Sequence, residues 1–256
     1  MNTRSYDAAL KSIDRIAKPS AQILEAKQKI LFQLGTQSFA NADFEQALKY
    51  LNQSIAIGQY NRQTKADALY WRGEAYYRLN RMEEAKRNFT DYLQLTQQTH
   101  NEMYALAHYN LGYIAFHQKD YTQAQNWFRK YISLEKGENK TALADAYNRI
   151  GDCYLDVRNF DEAKHYYSQA EAMNTPSGDY SFYQLALVSG LQKDYSGKIT
   201  LLNRLAGKYP ASPYAISALY EKGRSYVLMD NNQQAIASFK ELLAKYPESP
   251  VSRKAA

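Results

Sequence analysis

The sequence predicts an all-α protein made of stacked helix hairpins, and three observations support this fold class. All six prolines lie outside residues 20–175, so proline never interrupts that stretch. The same stretch is rich in Ala, Gln, Lys, Leu and Tyr, a composition that favours helix over sheet. Small residues also recur at a fixed spacing inside helical patterns, which is typical of a repeated helical unit.

The repeat is defined by glycines that precede an alanine by 12 residues. A large side chain stands four residues after each alanine, as Phe89 does after Ala85. Between the fourth and fifth glycine lies a weaker unit, with Ala186 at the glycine position and Lys198 at the alanine position. The five regular pairs are Gly35 and Ala47, Gly73 and Ala85, Gly112 and Ala124, Gly151 and Ala163, and Gly223 and Ala235.

Glycine at these positions needs a packing reason, because glycine inside a helix costs about 0.5–1 kcal/mol relative to alanine. We expect glycine on one helix and alanine on the next to let the two helices approach closely. Turn residues such as Asn80-Arg81 and Lys119-Asp120 separate the two positions. One hairpin cannot bury its apolar face alone, so the pattern predicts that the hairpins stack.

Two segments resemble the tetratricopeptide repeat family. They are residues 66–89, with Arg72-Gly73, Met82-Glu-Glu-Ala85 and Phe89, and residues 107–128, with Leu111-Gly112 and Tyr121-Thr-Gln-Ala124. The resemblance implies a right-handed superhelical solenoid of helix hairpins that forms a single array over residues 1–256. It places repeats at about 26–58, 66–98, 105–137, 144–175, 179–210 and 216–247, with a half-repeat at 1–20 and a truncated repeat start at 249–256. These incomplete ends predict a fragment of a longer chain and leave open self-association through uncapped ends.

A narrower resemblance lies near the C-terminus. The phrases Lys208-Tyr-Pro-Ala-Ser-Pro213 and Lys245-Tyr-Pro-Glu-Ser-Pro250 are similar to repeats of bacterial cell-envelope proteins, namely the Tol–Pal accessory protein and outer-membrane assembly lipoproteins. This resemblance implies a periplasmic or outer-membrane-associated setting. The alternative is that Pro-x-Ser-Pro only ends one helix and starts the next, in any compartment. No apolar run approaches the roughly 18 residues of a membrane span, so we expect none.

The residues that carry chemistry do not form a recognisable catalytic or metal-binding pattern. Cys153 is the single cysteine, and its helical surroundings predict a buried, inert thiol. His108 and His117 are nine residues apart, which is not the i, i+4 spacing of two ligands on one helix face, and His108 is expected to face the core or an interface. His100 and His165 add no ligand pattern. We therefore expect no enzyme activity, no metal and no cofactor.

An aromatic strip is the strongest candidate for function. In the resembled family the first helix of each hairpin lines a concave face, with the residues three before, one after and four after the glycine pointing into it. The resemblance thus implies a scaffold that binds a peptide segment or helix of another protein, and aromatic side chains are enriched where proteins bind partners. The alternative is that these rings pack between neighbouring hairpins. The predicted binding residues are Phe32, Phe39, Tyr70, Tyr77, Tyr109, Tyr113 and Phe116, with Trp71 at the margin.

The charge distribution and the repeat pattern bear on three further hypotheses. Residues 188–256 hold ten basic and five acidic residues within a chain of net charge +6, so the basic C-terminal repeats could bind an anionic polymer or nucleic acid. The array could also be the non-catalytic module of a larger enzyme or sensor. A chaperone tail is argued against, because the family's carboxylate clamp needs Lys and Asn where this chain has Phe32 and Thr36, or Tyr70 and Glu74.

Overall fold

The computed structural model describes residues 3–98 and 102–254, which form thirteen α-helices, one 3₁₀ turn and no strand. His100 and the outermost residues of both predicted incomplete repeats, 1–2 and 255–256, lie outside the described residues. The all-α class and its helix hairpins are confirmed. The helices are α1 Thr3–Asp14, α2 Ala21–Ala40, α3 Phe44–Ile57, α4 Arg62–Arg78, α5 Met82–Thr96, α6 Glu102–His117, α7 Tyr121–Leu134, α8 Lys140–Asp156, α9 Phe160–Ala172, α10 Gly178–Leu191, α11 Tyr195–Lys208, α12 Ala215–Leu228 and α13 Asn232–Lys245, followed by the 3₁₀ turn Ser252–Lys254.

The chain divides into two compact units, residues 1–123 and 124–256, with the boundary inside α7. In unit 1, α2 pairs with α3 and α4 with α5, while α1 lies against α2. The pairs stack there through contacts of α3 and α2 with α4 and of α5 with α6. In unit 2 the pairs are α8 with α9, α10 with α11, and α12 with α13, and they stack through α9 with α10 and α11 with α12.

Every turn between the two helices of a hairpin has the same backbone geometry. The residue seven positions after the glycine-register position adopts a left-handed conformation, as Ala42 does with φ 60°. The next residue, here Asp43, donates its N–H to the carbonyl of Ser38 at 2.9 Å, the bond that closes a Schellman motif. The fifth unit has the same turn although it lacks the glycine and the alanine, so the turns identify the repeat independently of those two residues. The left-handed residues of the other five hairpin turns are Asn80, Lys119, Arg158, Lys193 and Asp230.

Four of the repeat glycines lie directly beneath the large side chain of the second helix. A Cβ on Gly35 would be 2.7 Å from Cγ of Leu51, and a Cβ on Gly151 would be 2.7 Å from the Tyr167 ring. Leu51 and Tyr167 are fully buried. The glycine therefore makes room for the large side chain sixteen residues later. The alanine that was predicted to contact the glycine lies one helical turn before that side chain. Gly73 with Phe89 and Gly223 with Phe239 repeat this contact.

Three first helices begin four or five residues before their predicted repeat boundaries. N-cap side chains account for these starts, since each accepts the N–H three residues further on: Ser20 for α2, Asn61 for α4 and Asn139 for α8. The α4 start is also fixed by Gln28, whose buried amide bonds the backbone N–H and C=O of Asn61 at 3.0 and 2.9 Å. The extra turn of α4 thus docks the second helix pair onto the first.

The glycine contact predicts opposite effects for the same substitution at two sites in unit 2. Gly207 lies in α11 with no atom near its Cβ position, so Gly207→Ala should raise the free energy of unfolding by about 0.5–1 kcal/mol. Gly151→Ala should lower it by about 1–3 kcal/mol because the new methyl group overlaps the Tyr167 ring. Urea unfolding followed by circular dichroism measures both, and stabilisation by Gly151→Ala would contradict the packing.

The turn geometry predicts that Ala→Gly changes stability in opposite directions at two positions of unit 1. Ala42→Gly should stabilise the chain by about 0.5–1 kcal/mol, because glycine relieves the left-handed strain while losing more entropy on folding. Ala56 is an exposed residue of helical conformation in α3, so Ala56→Gly should destabilise by a similar amount. Thermal melts of the two variants compare them directly, and equal signs would refute the turn assignment.

Candidate functional site

The eight predicted binding residues lie on three first helices of unit 1. Phe32 and Phe39 are on α2, the set Tyr70, Trp71 and Tyr77 is on α4, and the set Tyr109, Tyr113 and Phe116 is on α6. Seven of these side chains are half-buried, whereas Tyr70 is 5% exposed. The structure therefore divides the strip into seven partly exposed rings and one buried ring.

The α2 part of the strip covers a small buried cluster. Phe39 packs edge-on against Trp71, with ring centroids 5.1 Å apart. Both rings, together with Phe32, lie against the buried residues Ala47 and Leu51. These three aromatic side chains thus pack between hairpins and are also partly exposed. The first property fits the packing hypothesis, and the second fits the partner-binding hypothesis.

Tyr70 belongs to the core of the second hairpin. Its ring lies 5.5 Å from the Phe89 ring and 5.4 Å from the Tyr92 ring, both in edge-on contacts. Burial raises the pKa of Tyr70 far above its ordinary value, and the neighbouring Glu74 raises it further, so the hydroxyl stays protonated. Packing between helices is the role that this geometry gives Tyr70.

The rings on α4 and α6 form a connected cluster, defined here as the aromatic face: Tyr77, Tyr109, Tyr113 and Phe116. Tyr77 and Tyr113 both approach His117, with centroid distances of 6.1 and 6.2 Å. The Tyr77 hydroxyl lies 3.0 Å from Nε2 of His117, and burial raises the pKa of that hydroxyl. His117 is not among the predicted binding residues, although its place five residues after Gly112, next to Phe116, could have indicated it.

A polar pair borders the aromatic face between α4 and α6. Asn110 donates a side-chain hydrogen bond to the carboxylate of Glu74, and its amide nitrogen is 3.4 Å from the Tyr70 hydroxyl. Burial raises the pKa of Glu74, against the opposing effects of Asn110 and Arg78. Glu74 follows Gly73 directly, so this carboxylate occupies one of the predicted concave positions.

The corresponding positions in α8 of unit 2 hold a polar network. Asp152 accepts hydrogen bonds from the hydroxyls of Tyr167 and Tyr180 at 2.6 and 2.7 Å, and it pairs with Arg149 at 2.6 Å. Burial raises the pKa of Asp152 while Arg149 lowers it. This carboxylate is engaged within unit 2, where it ties α8 to α9 and α10.

The residues considered for chemistry are placed as follows. His108 is buried, with Nδ1 2.8 Å from the carbonyl oxygen of Tyr104. Cys153 is buried, and burial raises its pKa to about 12, so it is a thiol at neutral pH. Within residues 3–98 and 102–254, no group of three or more His, Cys, Asp or Glu side chains could hold a metal ion, and no helix is long and apolar enough to cross a membrane.

Family comparison identifies repeats along much of the chain. Three family models, each described as tetratricopeptide repeat, match residues 103–175, residues 67–95 and 217–249, and residues 148–213. Together these matches cover more than half of the sequence. They include all four residues of the aromatic face on α4 and α6.

One curated relative has a similar segment. The uncharacterized protein ycf37 of Guillardia theta is 40% identical over 62 residues, which are 24% of this chain and 35% of that protein. The chain thus spans about a third of the length of the curated relative that it matches.

Solved structures share the fold at low sequence identity. RapI in its apo form has a TM-score of 0.73 at 14% identity and covers 98% of this chain and 77% of its own. PilW, described as a widely conserved type IV pilus biogenesis factor, has a TM-score of 0.63 at 18% identity, and the match covers 89% of this chain and 97% of PilW. YrrB, described as a TPR protein with an unusual peptide-binding site, has a TM-score of 0.61 at 16% identity, and the match covers 80% of this chain and 96% of YrrB. Helical-repeat scaffolds of this kind present extended surfaces to other proteins.

Proposed function

Because this chain belongs to the tetratricopeptide repeat family, we propose that it is a non-enzymatic scaffold that binds a peptide segment or helix of a partner protein on the aromatic face of unit 1. The observation that carries the proposal is the connected set of half-buried rings on α4 and α6, bridged by His117. The partner chain lies across two neighbouring first helices, since Tyr77 and Tyr113 come from different hairpins.

The chemistry of the aromatic face suits peptide capture. Tyrosine and phenylalanine give large contact areas with few rotatable bonds, so they lose little entropy when a partner immobilises them. Glu74 and Asn110 lie beside the rings and offer an acceptor and an amide to a partner backbone or side chain. Such a mixture of apolar anchors and a few polar groups is the usual composition of a binding hot spot.

The remaining predicted residues extend this surface. Phe32, Phe39 and Trp71 continue the partly exposed aromatic area from α4 to α2, and we assign them secondary contacts with the partner. Tyr70 supports the face from inside because its ring holds α4 against Phe89 and Tyr92. A partner would then cover α2, α4 and α6 in succession, as helical repeats commonly bind extended chains.

The bacterial cell envelope, either periplasm or outer membrane, is the setting that we propose. Its supports are the Tyr-Pro-x-Ser-Pro phrases at 209–213 and 246–250 and the fold similarity to PilW, a type IV pilus biogenesis factor. The fold similarity to YrrB supports peptide binding in the same way, since that protein is described by its peptide-binding site.

Polyanion binding by the basic C-terminal repeats is the weaker candidate. Arg204 and Lys208 lie 3.8 and 3.6 Å from the Glu171 carboxylate, and Lys198 is paired with Glu221. Internal pairing of this kind removes charge from the surface field that a polyanion would meet. The aromatic face therefore ranks ahead of the basic repeats.

A peptide selection tests the proposed function. Peptides of random sequence displayed on phage are selected on the whole chain, and their affinities are measured by fluorescence anisotropy. The combined change Tyr77→Ala, Tyr113→Ala and His117→Ala should weaken the selected peptides by about thirtyfold or more, as loss of a hot spot does.

The matched control removes two half-buried tyrosines elsewhere in unit 1, Tyr50→Ala and Tyr60→Ala, and should change affinity less than about twofold. Circular dichroism confirms that each variant is folded before binding is compared. If the selected peptides bind the aromatic-face variant as tightly as the unchanged chain, the proposed site is refuted.

A further inference from the structure

A pocket in unit 2 combines charged and apolar walls in a way that the repeat alone does not require. Its volume is about 340 Å³, and it lies among α10, α11 and α12. Lys198, Glu221 and Arg224 form its polar side. Leu187, Leu191 and Leu228 form its apolar side. The pocket is in a different unit from the aromatic face, so it is a separate site.

Lys198 is the departure from the repeat that builds this pocket. Alanine occupies its position in the other five repeats, and these alanines are buried. Lys198 is buried too, and its amine bonds the Glu221 carboxylate on α12. Burying an amine is costly even when it is paired, whereas alanine would fill this position without that cost. The lysine therefore has a role other than packing.

Gly190 is the second departure from the repeat, because the other repeats have an aromatic or branched apolar side chain at its position. It is complementary to Lys198. A Cβ on Gly190 would lie 2.8 Å from Cδ and 3.2 Å from Nζ of Lys198. The absence of a side chain at Gly190 thus leaves the path along which the lysine stem reaches Glu221. Two irregular residues in one repeat, eight positions apart, accommodate each other and open one pocket wall.

The polar wall carries a net positive charge. Glu221 bonds Lys198 through one oxygen and Arg224 through the other, at 3.0 Å for the arginine. Burial opposes ionisation, but Lys198 and Arg224 hold the pKa of Glu221 below its usual value, so the carboxylate is charged. Two cations then share one anion. The Arg224 side chain is 55% exposed, which leaves part of its guanidinium accessible to a second carboxylate.

The apolar wall is unusually exposed for leucine. Leu191 and Leu228 are 53% and 56% exposed, and each stands at the end of a first helix. Exposed large apolar side chains beside a charged pocket are typical of interaction sites. The volume is at the lower end of ligand pockets and has room for one or two side chains.

We propose that this pocket binds an aspartate or glutamate side chain of a partner peptide, with an adjacent apolar side chain of that peptide packed on Leu191 and Leu228. The net charge of Lys198, Glu221 and Arg224 selects the carboxylate. A nucleic acid fits less well, because the pocket offers one localised positive charge next to leucines rather than a basic stripe.

Labelled peptides that differ at one position test the site. Seven-residue peptides with the core Leu-X-Leu, where X is Asp, Glu, Asn or Lys, are titrated with the whole chain and followed by fluorescence anisotropy. Peptides with Asp or Glu should bind about tenfold more tightly than those with Asn or Lys. Arg224→Gln and Lys198→Ala should each remove most of this preference, and Lys198→Ala restores the residue of the other repeats.

Lys240→Gln is the matched control, since it removes the same charge from an exposed position of α13 outside the pocket. It should leave the affinity within about twofold. The proposal is overturned if X has no effect, if no acidic peptide binds at about 1 mM, or if Lys240→Gln weakens binding as much as Arg224→Gln. In the last case, tighter binding of a single-stranded oligonucleotide with steep salt dependence would identify a polyanion as the ligand.

Discussion

Four hairpins share one close contact, in which a glycine of the first helix is covered by a large side chain of the second. Leu51 over Gly35 and Tyr167 over Gly151 show it in the two units. The contact fixes the rotation of the first helix about its own axis. Residues three before, one after and four after the glycine then lie within about 100° of it around the helix. The surface offered to a partner is therefore a consequence of the packing.

The helix pairs and their order were predictable because glycine in a helix is costly and its recurrence reports a contact. The degree of burial of each aromatic ring was not predictable. Tyr70 and Tyr77 occupy equivalent-looking positions around Gly73, yet Tyr70 is buried because Phe89 and Tyr92 on α5 enclose it. Tyr77 lies in the last turn of α4 and reaches α6 instead, through His117. Such differences arise from packing between hairpins, which spacing within one hairpin does not encode.

Departures from the repeat form the charged pocket of unit 2. The sequence showed Lys198 as a poor substitute for alanine, but its partner Glu221 lies 23 residues away on another hairpin and no local pattern connects them. Gly190 likewise has meaning only beside the lysine stem. Regular positions thus build the scaffold, while irregular ones in unit 2 and aromatic ones in unit 1 distinguish this chain's surface from that of a generic repeat.

A double-mutant cycle between Gly35 and Leu51 tests the central contact most directly. Leu51→Ala removes the side chain that Gly35→Ala would overlap, so the two losses of unfolding free energy should not add. In urea unfolding, the double variant should be more stable than the sum of the single losses implies, by about 1 kcal/mol or more. Additivity within about 0.5 kcal/mol would show that the two residues do not share this space, and the proposed packing contact would then be wrong.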